Sequence, residues 1–207
     1  MSFATVLRVA RAAGACALLA ATAYGGVIEN IKEDIAADPD NPDLYFELAL
    51  EYEDVENWRG AADAYLMAIA LDPDDADLRF RLAEAYLADE EVMSAIDSYR
   101  QALSRDGALS RARYQLGRCY LGLKEYDEAI AAFEQYVEAS PYDFNGLWYL
   151  GQSLEKAGRK KDALGYYEKI LDYSTGAFAS AGEIGVFGTS DDLAAYIRKL
   201  DKEVYGE

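Results

Sequence analysis

One short motif recurs every 34 residues, and this period restricts the fold more than any other feature of the chain. The pattern Leu-Ala/Gly-x-x-Tyr starts at Leu48, Leu82 and Leu116, and a fourth copy at Leu150 keeps the spacing but has Leu154 at the tyrosine position. A chain with a period of this length folds as a stack of similar units, because a single unit is too small to bury its own apolar face.

Each unit carries the pattern of two helices separated by a short turn. An alanine and an aromatic residue four positions later follow the first motif in every unit: Ala61 and Tyr65, Ala95 and Tyr99, Ala129 and Phe133, Ala163 and Tyr167. Small residues let two helices approach closely, and aromatic rings fill the space between them. Turn residues close the units at Asp38-Pro39, Asp72-Pro73, Asp106-Gly107 and Ser140-Pro141. The repeats therefore lie near 42–75, 76–109, 110–143 and 144–176.

These motifs resemble those of the tetratricopeptide repeat (TPR) family. The third unit matches the family pattern best, through Leu116, Gly117, Tyr120, Tyr126, Ala129, Phe133 and Pro141. The tryptophan of the family's first helix is replaced, unit by unit, by Tyr45, Arg79, Arg113 and Leu147. The resemblance implies an all-α fold, an α-solenoid of about four TPR helix-turn-helix repeats with a C-terminal capping helix. Such a fold does not by itself define a function.

Apolar residues at helical spacing continue on both sides of the repeats. Ile28, Ile31 and Ile35 predict a helix over 27–37, so the TPR domain is expected to span 27–176. At the other end we predict a capping helix that follows an N-cap at Ser190 and buries one apolar stripe. The stripe consists of Leu193, Ile197, Leu200 and Val204.

A glycine-rich segment precedes that helix within the C-terminal region, 177–207. Its large apolar residues are Phe178, Ile184, Val186 and Phe187. No TPR feature requires such a segment. Two interpretations stay open, a docking loop for a partner or a linker that folds back on the repeats.

Residues 1–26 have the character of a targeting or anchoring segment. Arg8 and Arg11 precede an uncharged stretch from Ala12 to Ile28, and Ala21-Thr22-Ala23 fits a signal-peptide cleavage site. Two alternatives stay open, a cleaved signal peptide and an N-terminal membrane anchor. Either predicts an exported or membrane-anchored protein of the bacterial cell envelope or periplasm, with mitochondrial targeting as the other location.

Composition excludes several classes of function. The chain is acidic, with a net charge of −18, and it contains no histidine, the commonest general base and metal ligand. Most of this charge lies in residues 29–97, which hold 4 basic and 21 acidic side chains. A strongly acidic protein repels nucleic-acid phosphate. We therefore expect no catalytic residues, no metal, no cofactor and no nucleic-acid partner.

The resemblance also implies where a partner would bind, because the first helix of each TPR lines a groove. The positions that correspond in the four units are Phe46, Phe80, Tyr114 and Trp148; Leu50, Glu84, Arg118 and Gln152; and Glu47, Arg81, Gln115 and Tyr149. The aromatic series has two interpretations, a ladder for an extended or helical peptide or packing between helices. The lysine and asparagine residues of chaperone carboxylate clamps are absent from these positions, so a clamp of that type is not expected.

The predicted function is a non-enzymatic TPR scaffold or adaptor that binds a peptide or protein partner in its groove, within the cell envelope. The alternative is a permanent accessory subunit of a membrane-associated complex, docked by its N-terminal segment, its glycine-rich loop and its convex face. Both interpretations allow an oligomer or a larger complex.

Overall fold

The computed structural model describes residues 26–175 and 189–206, which form ten helices and no strand. In chain order they are α1 over 26–37, α2 Pro42–Asp54, α3 Trp58–Leu71, α4 Ala76–Ala88, α5 Val92–Arg105, α6 Ser110–Leu123, α7 Tyr126–Ala139, α8 Phe144–Lys156, α9 Lys160–Thr175 and α10 Ser190–Tyr205. The all-α prediction is confirmed. Two predicted features lie outside the described residues. They are the leader up to residue 25 and the apolar residues Phe178, Ile184, Val186 and Phe187.

Two compact units divide the chain after Arg105. The first contains α1 and the helix pairs α2–α3 and α4–α5, and the second contains the pairs α6–α7 and α8–α9 together with α10. Helix α1 keeps the 34-residue register, because its buried Ile31 lies 34 positions before the buried Tyr65 of α3. The first unit thus begins with the counterpart of a second helix.

The turn inside every repeat has the same backbone conformation. Its residue has a positive φ in all four repeats: 56° at Glu56, 63° at Glu90, 64° at Lys124 and 83° at Gly158. The following amide donates to the carbonyl five residues earlier, as Glu125 does to Tyr120 at 2.9 Å and Arg159 to Leu154 at 2.8 Å. This is the Schellman ending, which satisfies the last carbonyls of the first helix. Only the fourth repeat has glycine at this position.

The core of each repeat is the aromatic residue of its second helix. Tyr65, Tyr99, Phe133 and Tyr167 are all completely buried. In the fourth repeat the ring lies against Gly151 of the first helix, where a Cβ atom would stand 2.5 Å from Cε1 of Tyr167. A separation this short requires glycine, because a fully buried ring has no space into which to move.

The predicted N-cap of the last helix is wrong by one residue. Ser190 is the first residue of α10, and Thr189 is the N-cap. Thr189 Oγ1 accepts from the amide of Asp192 at 3.3 Å, and the Asp192 carboxylate accepts from the amide of Thr189 at 3.2 Å. This reciprocal pair needs an acceptor three residues after the cap, which Thr189 has in Asp192. Leu193, Ile197 and Leu200 are buried.

A pair of glycine substitutions tests the close contact in the fourth repeat. We expect Gly151→Ala to lower the free energy of unfolding by about 1–3 kcal/mol, because overpacking exceeds the gain in helix propensity. Gly165→Ala in α9 is the control, because a Cβ atom added at Gly165 would have nothing within 4 Å. It should raise stability by about 0.5–1 kcal/mol. Urea unfolding followed by circular dichroism measures both, and equal effects would contradict the packing argument.

The repeated turn gives a second prediction. Lys124→Gly should raise the free energy of unfolding by about 0.5–1 kcal/mol, because a side chain disfavours the left-handed conformation that this turn imposes. Lys124→Ala is the matched control, since it shortens the same side chain but keeps the Cβ atom that disfavours the left-handed conformation. The control should leave the free energy of unfolding nearly unchanged. Destabilisation by Lys124→Gly, measured in the same urea titration, would show that the turn tolerates its side chain without strain.

Candidate partner-binding groove

The four aromatic groove positions all contact the buried aromatic residue of their own repeat. The ring centroids lie 6.0 Å apart for Phe46 and Tyr65, 5.7 Å for Phe80 and Tyr99, 6.0 Å for Tyr114 and Phe133, and 4.9 Å for Trp148 and Tyr167. Phe80 is only 9% exposed, whereas Phe46, Tyr114 and Trp148 are half-buried. The series therefore packs the helices of each repeat together, and in three repeats it also leaves part of a ring accessible.

A carboxylate accepts a hydrogen bond from every buried tyrosine of this set. Tyr65 donates to Glu53 at 3.0 Å, Tyr99 donates to Glu84, and Tyr167 donates to Glu155 at 3.2 Å. The third repeat has Phe133 instead, and Arg118 and Leu121 occupy the two positions that supply the acceptor elsewhere. Because a buried hydroxyl needs a partner, tyrosine and carboxylate occur together. Glu84, predicted to face a ligand, is thus used inside its repeat.

In the second unit the groove positions form an aromatic cluster across neighbouring repeats. Tyr149 of α8 lies 5.7 Å from Tyr114 of α6 in a T-shaped contact, and its ring stacks on Phe133 at 5.7 Å. Tyr136 contacts Tyr114 at 5.1 Å and donates its hydroxyl to Asp143, the N-cap of α8. The cluster holds Tyr114 through three ring contacts and joins the first helices of repeats three and four.

Three charged groove positions are more exposed than the rings. Arg118 is exposed, donates to Gln115 at 3.0 Å and places its guanidinium carbon 6.0 Å from the Tyr114 ring centroid. Glu47 and Arg81 are exposed in the first unit. Leu50, Glu84, Gln115, Tyr149 and Gln152 are half-buried.

Helix α10 contributes a residue that the sequence analysis did not find. Tyr196 contacts Trp148 at 6.0 Å and Tyr167 at 5.5 Å, both T-shaped, and donates its hydroxyl to Glu155 at 2.5 Å. Glu155 therefore accepts from two tyrosines on two helices. The helical stripe of α10 was visible in the sequence, but the repeat spacing does not extend to Tyr196. Its contact with the groove position Trp148 could not be predicted.

The described residues contain no group of three or more His, Cys, Asp or Glu side chains arranged to hold a metal ion. Over the same part of the chain, no helix combines the length and apolar character that a membrane span needs.

Comparisons with known proteins agree with this architecture. Residues 51–136 match the family described as Anaphase-promoting complex, cyclosome, subunit 3, and residues 146–174 match the tetratricopeptide repeat family. No curated protein sequence matches the chain significantly.

Similar solved structures include a crystal structure of MamA, with 27% identity, a TM-score of 0.67, and coverage of 72% of this chain and 87% of that chain. YrrB, described as a TPR protein with an unusual peptide-binding site, is 18% identical, with a TM-score of 0.66 and coverage of 89% and 88%. The first TPR of Spaghetti (RPAP3), bound to the HSP90 peptide SRMEEVD, is 20% identical, with a TM-score of 0.54 and coverage of 58% and 96%.

The helix pairs, their period and these likenesses define an all-α TPR solenoid. The match over residues 146–174 and the TPR fold of the similar structures support the resemblance to the TPR family.

The buried tyrosines predict a loss of stability at alkaline pH. Burial, followed by the neighbouring Glu53, raises the pKa of Tyr65 above the ordinary 10.0, and burial likewise raises the pKa of Tyr136, Tyr167 and Tyr196. Above pH 10 the unfolded chain releases these protons while the folded chain keeps them. Because the folded state then binds more protons, stability is full below pH 10 and falls as the pH rises further.

A pH titration that follows tyrosinate absorbance and helicity together measures this effect. Part of the tyrosine signal should appear only when the helical signal is lost. Replacing Tyr167 and Tyr196 by phenylalanine should shrink that delayed part, because burial raises the pKa of both hydroxyls. Complete tyrosine ionisation in a fully helical protein would contradict the prediction.

Proposed function

We propose that the protein is a non-enzymatic scaffold or adaptor that binds a peptide or protein partner along the first helices of its repeats. The observation that carries the proposal is the second unit's cluster, in which half-buried Tyr114 contacts half-buried Tyr149 and lies 6.0 Å from the guanidinium carbon of the exposed Arg118. Aromatic residues and arginine supply most of the binding energy in protein interfaces.

The rings are fixed before a partner arrives, which favours binding. Tyr114 is packed against Phe133, Tyr136 and Tyr149, and Trp148 against Tyr167. An immobile ring loses little conformational entropy when a partner covers it. The peptide-binding site of YrrB and the peptide bound to RPAP3 show that structures with this fold bind peptides, and they support the same role here.

Exposed charges test the proposal better than the rings, because replacing Phe80 or Trp148 by alanine would also remove packing on Tyr99 or Tyr167. The test variant is Arg81→Glu with Arg118→Glu, one groove position in each unit. The control is Arg59→Glu with Arg198→Glu, which makes the same charge change on α3 and α10 away from the predicted groove positions. All four arginines are exposed.

Affinity capture with the full chain, followed by quantitative mass spectrometry, compares the two variants with the unmodified chain. We expect the groove variant to lose its main partner by about tenfold or more, since reversing an interface charge costs of the order of 1.4 kcal/mol or more. The control should retain that partner. Equal capture by both variants would refute groove binding.

A second candidate is the accessory subunit docked by its convex face, and exposed apolar residues on the second helices favour it. Met67 of α3 is 49% exposed and Met93 of α5 is 62% exposed. The double change Met67→Glu with Met93→Glu should release such a complex while leaving groove binding intact. Retention of all partners by this variant would exclude these residues from a docking surface.

We also propose that the protein works in the cell envelope. Support comes from the sequence of the leader, in which Arg8 and Arg11 precede the uncharged stretch from Ala12 to Ile28. Cell fractionation with N-terminal sequencing tests the location and separates a cleaved signal from a retained anchor. Recovery in the cytoplasm with an intact N-terminus would contradict this location.

A further inference from the structure

Helix α10 stands where the first helix of a fifth repeat would stand. Tyr196 makes a T-shaped contact with Trp148 at 6.0 Å, as Tyr149 does with Tyr114 at 5.7 Å. Tyr196 also lies 5.5 Å from Tyr167, and Tyr149 lies 5.7 Å from Phe133. The pair Trp148 and Tyr167 in repeat four corresponds to Tyr114 and Phe133 in repeat three. Tyr196 is therefore the structural counterpart of Tyr149.

Burial along α10 agrees with that assignment. Tyr196 follows Tyr149 by 47 residues, one period of 34 plus 13. With this offset the buried Leu193, Ile197 and Leu200 correspond to the buried Gly146, Leu150 and Ser153 of α8. The positions that face the second helix in α8, Gly151 and Leu154, correspond to the exposed Arg198 and Asp201. Helix α10 thus keeps the face that packs on repeat four and has a polar face where a second helix would pack.

The same offset places an exposed lysine in the groove series. Lys199 corresponds to Gln152 and Arg118, the polar groove positions of the second unit. Arg118 and Lys199 are exposed, and no acidic residue occupies this row or the adjacent row of Gln115, Tyr149 and Tyr196. Three nearby carboxylates are already engaged: Glu155 by two tyrosine hydroxyls, Asp192 by the capping box, and Glu203, one turn after Lys199, by an ion pair with Lys160 at 2.7 Å.

From this row we propose that the second unit binds an acidic peptide segment, held at its ends by Arg118 and Lys199. The proposal rests on the proposed groove function and specifies its ligand. Neighbouring packed helices lie about 8–10 Å apart, so α6 and α10 are separated by roughly 16–20 Å. An extended chain covers that distance in about five or six residues. The ligand is therefore a segment with carboxylate side chains about five or six positions apart.

Selection from a random library of displayed 12-residue peptides tests the proposal on the full chain. Peptides selected by the unmodified chain should be rich in Asp and Glu at the predicted spacing. Their affinity should fall about tenfold with Lys199→Glu, and by a smaller factor with the milder Lys199→Gln. Arg198→Glu is the matched control, since it makes the same charge change at the adjacent exposed residue, whose side chain leaves the helix in a different direction. It should leave the affinity within about twofold.

Each outcome separates this inference from the proposed function. Peptides that depend on Arg118 but show no acidic preference, or no response to Lys199→Glu, would overturn the inference and leave groove binding in place. Selected peptides that ignore every groove substitution would overturn both. A single-stranded oligonucleotide of 12 nucleotides should not displace the peptides, and displacement would replace the peptide assignment by a general anion site.

Discussion

The structure depends on one contact, the buried aromatic of each second helix against the first helix of its own repeat. Tyr65, Tyr99, Phe133 and Tyr167 are completely buried, and each meets a ring of the first helix within 6.0 Å. Where the aromatic is tyrosine, its hydroxyl needs an acceptor in a dry interior, and a glutamate of the first helix supplies it. The small residue opposite, Gly151 in the fourth repeat, sets how closely the helices approach.

Once that contact is made, it determines the direction in which the other faces of each first helix point. The Schellman turn at Glu56, Glu90, Lys124 and Gly158 returns the chain after the same number of residues in every repeat. The positions one turn from each groove ring therefore recur at the same place in every repeat, and among them Arg118 is exposed whereas Glu84 bonds Tyr99. The ring that stabilises a repeat is left half-buried, as at Trp148, beside a polar position such as Gln152. In the proposed function, recognition would use the same side chains that stabilise the repeats.

The sequence predicts the fold because periodicity reports burial, and burial decides which faces meet. It predicts the groove positions less completely. The sequence predicts that Glu84 is a charge facing a ligand, but in the structure Glu84 accepts a hydrogen bond from Tyr99. A sequence pattern does not show which buried hydroxyl needs an acceptor. Tyr196 and Lys199 are missed for a different reason. The extra 13 residues before α10 break the 34-residue offset, so only the ring contacts of Tyr196 reveal the register.

Because charge is unevenly distributed along the chain, the side chains of one groove row indicate the ligand's charge better than the net charge of −18 does. Most of the acidic excess lies within residues 29–97, whereas Arg118 and Lys199 belong to the second unit. Charges separated by more than about 8–10 Å in physiological salt are largely screened from one another. In the proposed binding mode, a peptide on the second unit therefore interacts mainly with the side chains it touches, and the two rows that end at Tyr196 and Lys199 contain no acidic residue. In the first unit the corresponding positions include Glu47 and Glu84 around Arg81, so an acidic segment is favoured by only one of the two units.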